Sequence, residues 1–301
     1  NGTKATVLHA TKSNIKVIKT TIEKNTASLE SILSILSYST LELDQSNISN
    51  NNVKMLGSPL YIASASHGVI RNCQFHANKN GLIITKQNSK LEVYSSNFVN
   101  NSDSISNGGV VLLATLSVGI FEGSNFSNNF ARGDGGVIYS FQGQVHITGC
   151  EFYGNSAHRT SGVIYANTGN TTIVDSKFLN NKATYLYGGA IFICVDGGLS
   201  INNSLFHNNS AYLNGGAIYT ANYLNFVIDQ SNFTENRARK GNAIYFNAID
   251  KIRLAHSRFY ITETQDKKTF ESEIQFFGIG NHMTKLFTYR TEIVVGNVTL
   301  Y

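Results

Sequence analysis

Residues able to do acid–base, nucleophilic or metal chemistry are sparse in this 301-residue chain, where charged side chains make up only 14%. General acid–base work, or a calcium site, needs carboxylates that converge on one face. Glu122, Glu151 and Asp175 come nearest to that, yet they precede the next Phe by four, one and three residues. Asp44, Glu122 and Asp229 share one offset, four residues before Ile48, Phe126 and Phe233, but they are far apart in sequence. His67, His76, His146, His158, His207 and His256 share no offset. Cys73, Cys150 and Cys194 form no C-x-x-C pair, and no G-x-S-x-G nucleophile motif is present. The expectation is a chain without catalytic residues, metal or cofactor.

What would position any such residue is a repeat. Phe followed three residues later by Asn recurs at Phe75/Asn78, Phe98/Asn101, Phe126/Asn129, Phe152/Asn155, Phe178/Asn181, Phe206/Asn209 and Phe233/Asn236. Ile48/Asn51 and Ile22/Asn25 extend the register upstream, and Phe259 extends it downstream without its Asn. A second marker runs in phase. Gly-Gly or a relative precedes a short apolar run at Val110, Val137, Val163, Ala190, Ala217 and Ala243, in steps of 26 or 27 residues. Each unit holds three short strand-like pieces separated by Gly, Asn, Asp and Ser, too short for amphipathic helices. One coil per unit, stacked at the strand-pairing distance, predicts a right-handed parallel β-helix of about ten coils of about 27 residues. Residues 1–259 form the helix, and 260–301 are expected to be a C-terminal cap or irregular final coils.

The repeat rationalises an unusual composition. The chain has 36 Asn, one Pro, no Trp and a net charge of +5. A hydrophobic fraction of 42% with so little charge excludes intrinsic disorder. The small residue two positions before each Phe should face inward with it. Those positions hold Ser96, Ser124, Cys150, Ser176, Ser204 and their equivalents. The phased Asn should form a stacked ladder, each amide bonding the next. Cys73 and Cys150 lie three coils apart, roughly 14 Å, beyond disulfide reach. All three cysteines are expected to be free and buried.

The paired motifs resemble repeats of chlamydial polymorphic membrane proteins and of related protist surface proteins with a pectin-lyase-like β-helix. The clearest matches are Phe178-Leu179-Asn180-Asn181 with Gly188-Gly189-Ala190-Ile191, and Phe206-His207-Asn208-Asn209 with Gly215-Gly216-Ala217-Ile218. The resemblance implies a secreted or cell-surface adhesin-like rod. A C-terminal outer-membrane barrel like that of the bacterial proteins is not expected in this chain. Right-handed β-helices also include polysaccharide lyases and glycosidases. A carbohydrate-active enzyme is therefore one alternative, and a structural subunit of a surface assembly is another. The nearly constant coil length leaves no long loops to wall a catalytic groove, which favours a non-enzymatic role.

Two further features bear on recognition. Tyr139, Tyr165, Phe192, Tyr219 and Tyr245 occupy one position in five consecutive coils, next to Ile138, Ile164, Ile191, Ile218 and Ile244. If the Ile column faces the core, strand alternation exposes the aromatic one as a stripe able to dock a glycan or a partner protein. Asn47, Asn125 and Asn232 are sequon residues immediately before an inward Ile or Phe, so they should face solvent and could accept glycans. The basic cluster Arg237, Arg239 and Lys240 reads as solvated turn residues. With no aromatic-interleaved basic stripe in the sequence, nucleic acid is not an expected partner. The expected partner is a protein or glycan on another cell or in the same surface assembly.

Overall fold

The computed structural model describes residues 7–27, 31–54, 58–221, 225–247 and 251–261, and strands at 274–277, 285–289, 292–295 and 298–300. The chain is a parallel β-helix. One central coil shows the plan: Ile138–Phe141, Gln144–Thr148, Glu151–Tyr153 and Ser156–Ala157. We call these the Ile, alternating, Phe and Ala strands. The two-residue Ala strand is a fourth piece beyond the three that the sequence pattern predicts. Every strand pairs in parallel with its counterpart one coil on, through Ile138↔Ile164, Val145↔Thr171, Phe152↔Phe178 and Ala157↔Ala183.

Alternation decides what each strand buries. In Gln144–Thr148, Val145 and Ile147 point inward while Gln144, His146 and Thr148 do not. Phe75, Phe98, Phe126, Phe152, Phe178, Phe206, Phe233 and Phe259 form one stack inside the rod. Adjacent ring centroids are 4.6 to 4.9 Å apart. That spacing is the strand-pairing distance itself, so the backbone ladder and the ring stack reinforce one another.

The corners are built by hydrogen bonds between coils. From Asn25 to Asn209 each ladder Asn gives its backbone N–H and its Nδ2 to the Oδ1 of the Asn one coil ahead, as in Asn155 to Asn181 at 3.0 and 3.1 Å. The same Nδ2 also donates to the carbonyl of the Phe one coil behind, Phe126 in that case, at 2.9 Å. At the other corner, the Ser column accepts the backbone N–H of the preceding coil and donates to its own carbonyl two residues back. Ser176 N–H to Ser204 Oγ and Ser204 Oγ to the Asn202 carbonyl show this. The residue before each ladder position turns left-handed, at Asn50, Asn100, Asn128, Asn180 and Asn208 among others. Asn tolerates that region better than most residues. The Asn excess therefore serves two positions per coil, one buried and one in the turn.

The strands described beyond residue 260 continue the helix. Ile274–Phe277, Lys285–Tyr289 and Glu292–Val295 pair in parallel with the last regular coil, and Val298–Leu300 adds an antiparallel edge to Glu292–Val295. The expected cap falls largely outside the described residues. No helix among the described residues is long and apolar enough to cross a membrane. Cys73, Cys150 and Cys194 are free and buried.

Candidate functional site

The predicted aromatic column lies on the outer side of the Ile strands. Ile138, Ile164, Ile191, Ile218 and Ile244 are fully buried, which turns the next residue away from the core. The rings stack in sequence, Tyr139–Tyr165 at 4.8 Å, Tyr165–Phe192 at 5.2 Å, Phe192–Tyr219 at 5.0 Å and Tyr219–Tyr245 at 5.3 Å.

The column is not the open stripe that alternation alone predicts. Tyr139, Tyr165 and Phe192 are half-buried, and Tyr219 and Tyr245 are only 6% and 5% exposed. The physical reason is the neighbouring loop. Tyr187, just before Gly188, lays its ring against Tyr219 at 4.6 Å and near Phe192 at 6.3 Å. Buried hydroxyls then find protein partners: Tyr165 Oη lies 3.4 Å from Cys194 Sγ, and Asn247 Nδ2 donates to Tyr219 Oη at 3.1 Å. Burial pushes the Tyr139, Tyr165 and Tyr219 hydroxyls above the usual tyrosine range. The Asp134 carboxylate pushes Tyr139 the same way. These groups stay protonated and act as hydrogen-bonding edges, not as bases.

A second row, not among the sequence-predicted sites, lies on the loops next to the first and is open to solvent. It is formed by the residue three positions before the left-handed Gly or Ser of each loop: Ile105, Arg132, His158, Tyr185 and Tyr212. His158 and Tyr185 stack at 5.9 Å and Tyr185 and Tyr212 at 6.5 Å. The Arg239 guanidinium then covers the Tyr212 ring at 4.4 Å and donates to its hydroxyl at 2.7 Å. Tyr185 and Tyr212 are 58% and 50% exposed. The signal was available as a fixed offset from the glycine marker, masked by the varied residue types that fill it.

Acids on this edge are turned inward. Asp134, whose side chain is 8% exposed, accepts from Thr160 Oγ1 at 2.6 Å and lies 3.4 Å from Arg159. Asp103 accepts the backbone N–H groups of Ile105 and Ser106 at 2.8 Å. Both carboxylates hold loop shape.

The carboxylates that came nearest to a catalytic set are not brought together in one register column. Glu122 pairs across the sheet with Thr148. Glu151 sits on the Phe strand 3.8 Å from Lys177, and Asp175 accepts from Asn203 Nδ2 at 2.6 Å. Among the described residues no three His, Cys, Asp or Glu side chains are grouped to hold a metal ion. Of the sequon residues, Asn125 and Asn232 are exposed as expected. Asn47 is half-buried and its Oδ1 is shielded with no partner among the described residues, so it faces solvent less fully than expected.

Comparison with known proteins agrees with this architecture. No curated protein and no solved structure matches the chain. Residues 203–221, which carry Phe206/Asn209 and Gly215-Gly216, match the chlamydial polymorphic membrane protein repeat. Residues 5–178, more than half of the chain, match the right-handed β-helix region model. With its parallel register, internal Phe stack and Asn ladder, the chain belongs to the right-handed β-helix family.

Proposed function

We propose that this chain is a non-catalytic recognition rod of a cell surface or extracellular assembly. Its lateral face, the half-buried edges of Tyr139, Tyr165 and Phe192 with the open loop ridge beside them, meets the partner. The observation that carries the reading is the continuity of that face: stacked aromatics run unbroken through five coils while the carboxylates remain dispersed. A solenoid offers an extended surface of this kind because each coil repeats the position of the last. Aromatic residues are favoured at contact surfaces because they bury much area at little entropic cost. The polymorphic membrane protein repeat match supports placement on an outer surface.

The test is adhesion of the purified chain to cells and to a glycan array, comparing wild type with Y139S/Y165S. Binding lost in the variant while folding is retained supports recognition through this face. Unchanged binding with a lowered melting temperature would show that the row only stabilises the rod. Incubation with acidic polysaccharides, followed by a reducing-end assay, tests the non-catalytic assignment, and new reducing ends would overturn it.

A further inference from the structure

We propose that the ridge beside the aromatic row binds an anionic polysaccharide laid along the rod axis. The inference rests on reading the lateral face as a recognition surface and names the ligand class. Arg132, Arg159, Lys182, Arg237 and Arg239 are exposed along this edge. Among the described residues Arg132, Lys182 and Arg237 have no ion pair, while Arg159 and Arg239 are oriented by Asp134 and Tyr212. The acids within the loops, Asp103 and Asp134, are buried and occupied by hydrogen bonds. Glu235, at the adjoining corner, lies 3.9 Å from His207. The cations are thus left facing outward. They run from the coil of Arg132 to that of Arg239, four coil steps or roughly 19 Å.

The geometry selects among polyanions. Single-stranded nucleic acid is held by bases stacking on free aromatic faces. Here the faces of His158, Tyr185 and Tyr212 are turned to one another and to Arg239, so edges and hydroxyls are what the ridge presents. An acidic peptide adding as a strand needs an open sheet edge, and the Ala strands alongside are paired with their neighbours, as in Ser156↔Lys182 and Lys182↔Ser210. What remains is a band of guanidinium, ammonium and phenol donors spread along the rod axis, with Lys182 and Arg237 both in register with Ser210 and the arginines of the loops beside them. It suits sulfate or carboxylate groups recurring along a sugar chain.

The experiment is calorimetric titration of the whole chain at physiological salt. The probes are a heparin-derived octasaccharide, an oligogalacturonate of equal length, a neutral dextran oligosaccharide and single-stranded DNA. Binding of either anionic glycan, weakened about tenfold in R132S/K182S/R237S, is the expected result. K12S/K19S/K54S removes the same charge from the first two coils and should leave affinity unchanged. Melting temperatures of both variants report folding. The assignment is overturned if neither anionic glycan binds, if dextran or DNA binds as tightly, or if both triple variants lose affinity equally. Loss of the glycan arm with cell adhesion intact and sensitive to Y139S/Y165S would remove this ligand and leave the recognition rod standing.

Discussion

The Oδ1 of Asn129 accepts two hydrogen bonds from Asn101, one from the backbone N–H at 2.9 Å and one from Nδ2 at 3.1 Å, and both residues are fully buried. Asn129→Ala removes the acceptor of two buried N–H groups of Asn101 and a donor to the Phe98 carbonyl. A buried orphaned polar group costs about 1–3 kcal/mol, so the substitution should cost about 3 kcal/mol or more. The adjacent Asn128 is exposed, with φ of 53°, and Asn128→Gly should be nearly neutral. Denaturant midpoints of the two variants check this. Equal, small shifts would show that the ladder contributes nothing beyond its turn.

Gly136 is required by the close approach of coils. A Cβ there would run into the Gly162 carbonyl oxygen and the Ser156 carbonyl group, backbone atoms that cannot move without breaking the stack. Gly136→Ala should therefore destabilise by at least the ~1–3 kcal/mol typical of overpacking. Gly123 makes a useful comparison. Its φ of 54° is left-handed, but the nearest atom to an added Cβ is 3.9 Å away. Gly123→Ala should cost only about 1–2 kcal/mol of backbone strain. Thermal melts of both proteins decide the order, and a smaller loss for Gly136→Ala would refute the close-packing argument.

Legibility followed periodicity. The Phe stack, the Asn ladder and the inward Ile column recur at fixed offsets, and alternation on a strand converts an offset into a direction. The half-burial of Tyr165 and Phe192 was not legible, because it depends on how loop residues such as Tyr187 fold back, and no period specifies that. The ridge was hidden for a related reason. Arg132, His158, Tyr185 and Tyr212 share a position but not a residue type, so only the glycine offset connects them. The second use of Asn, at left-handed corners such as Asn128 and Asn180, adjoins the ladder and looks in sequence like a mere Asn-Asn pair.

Thr220 is fully buried within an Ile strand, and its hydroxyl has no hydrogen-bond partner among the described residues. Replacing it by Val removes the unpaired hydroxyl while keeping a β-branched shape. Thr220→Val should therefore stabilise the rod by about 1 kcal/mol, raising the denaturant midpoint. A lowered midpoint would mean that the hydroxyl is satisfied in solution.

Burial pushes the thiols of Cys73 and Cys150 up to about 11 from 9.0. An acid whose pKa is higher folded than unfolded binds its proton more tightly in the native state. Its stabilising contribution is therefore full below pH 9 and is lost as pH rises through about 11. The native thiols should also resist maleimide at neutral pH, since the thiolate is the reactive form. Both cysteines occupy the Ser column, where Ser176 donates to the Val174 carbonyl at 2.7 Å. Serine fits that place and does not titrate in this window. C73S/C150S should fold normally and lose less stability than wild type between pH 9 and 11, as read by denaturant unfolding at each pH. Parallel curves for the two proteins would show that these thiols are not the groups responsible.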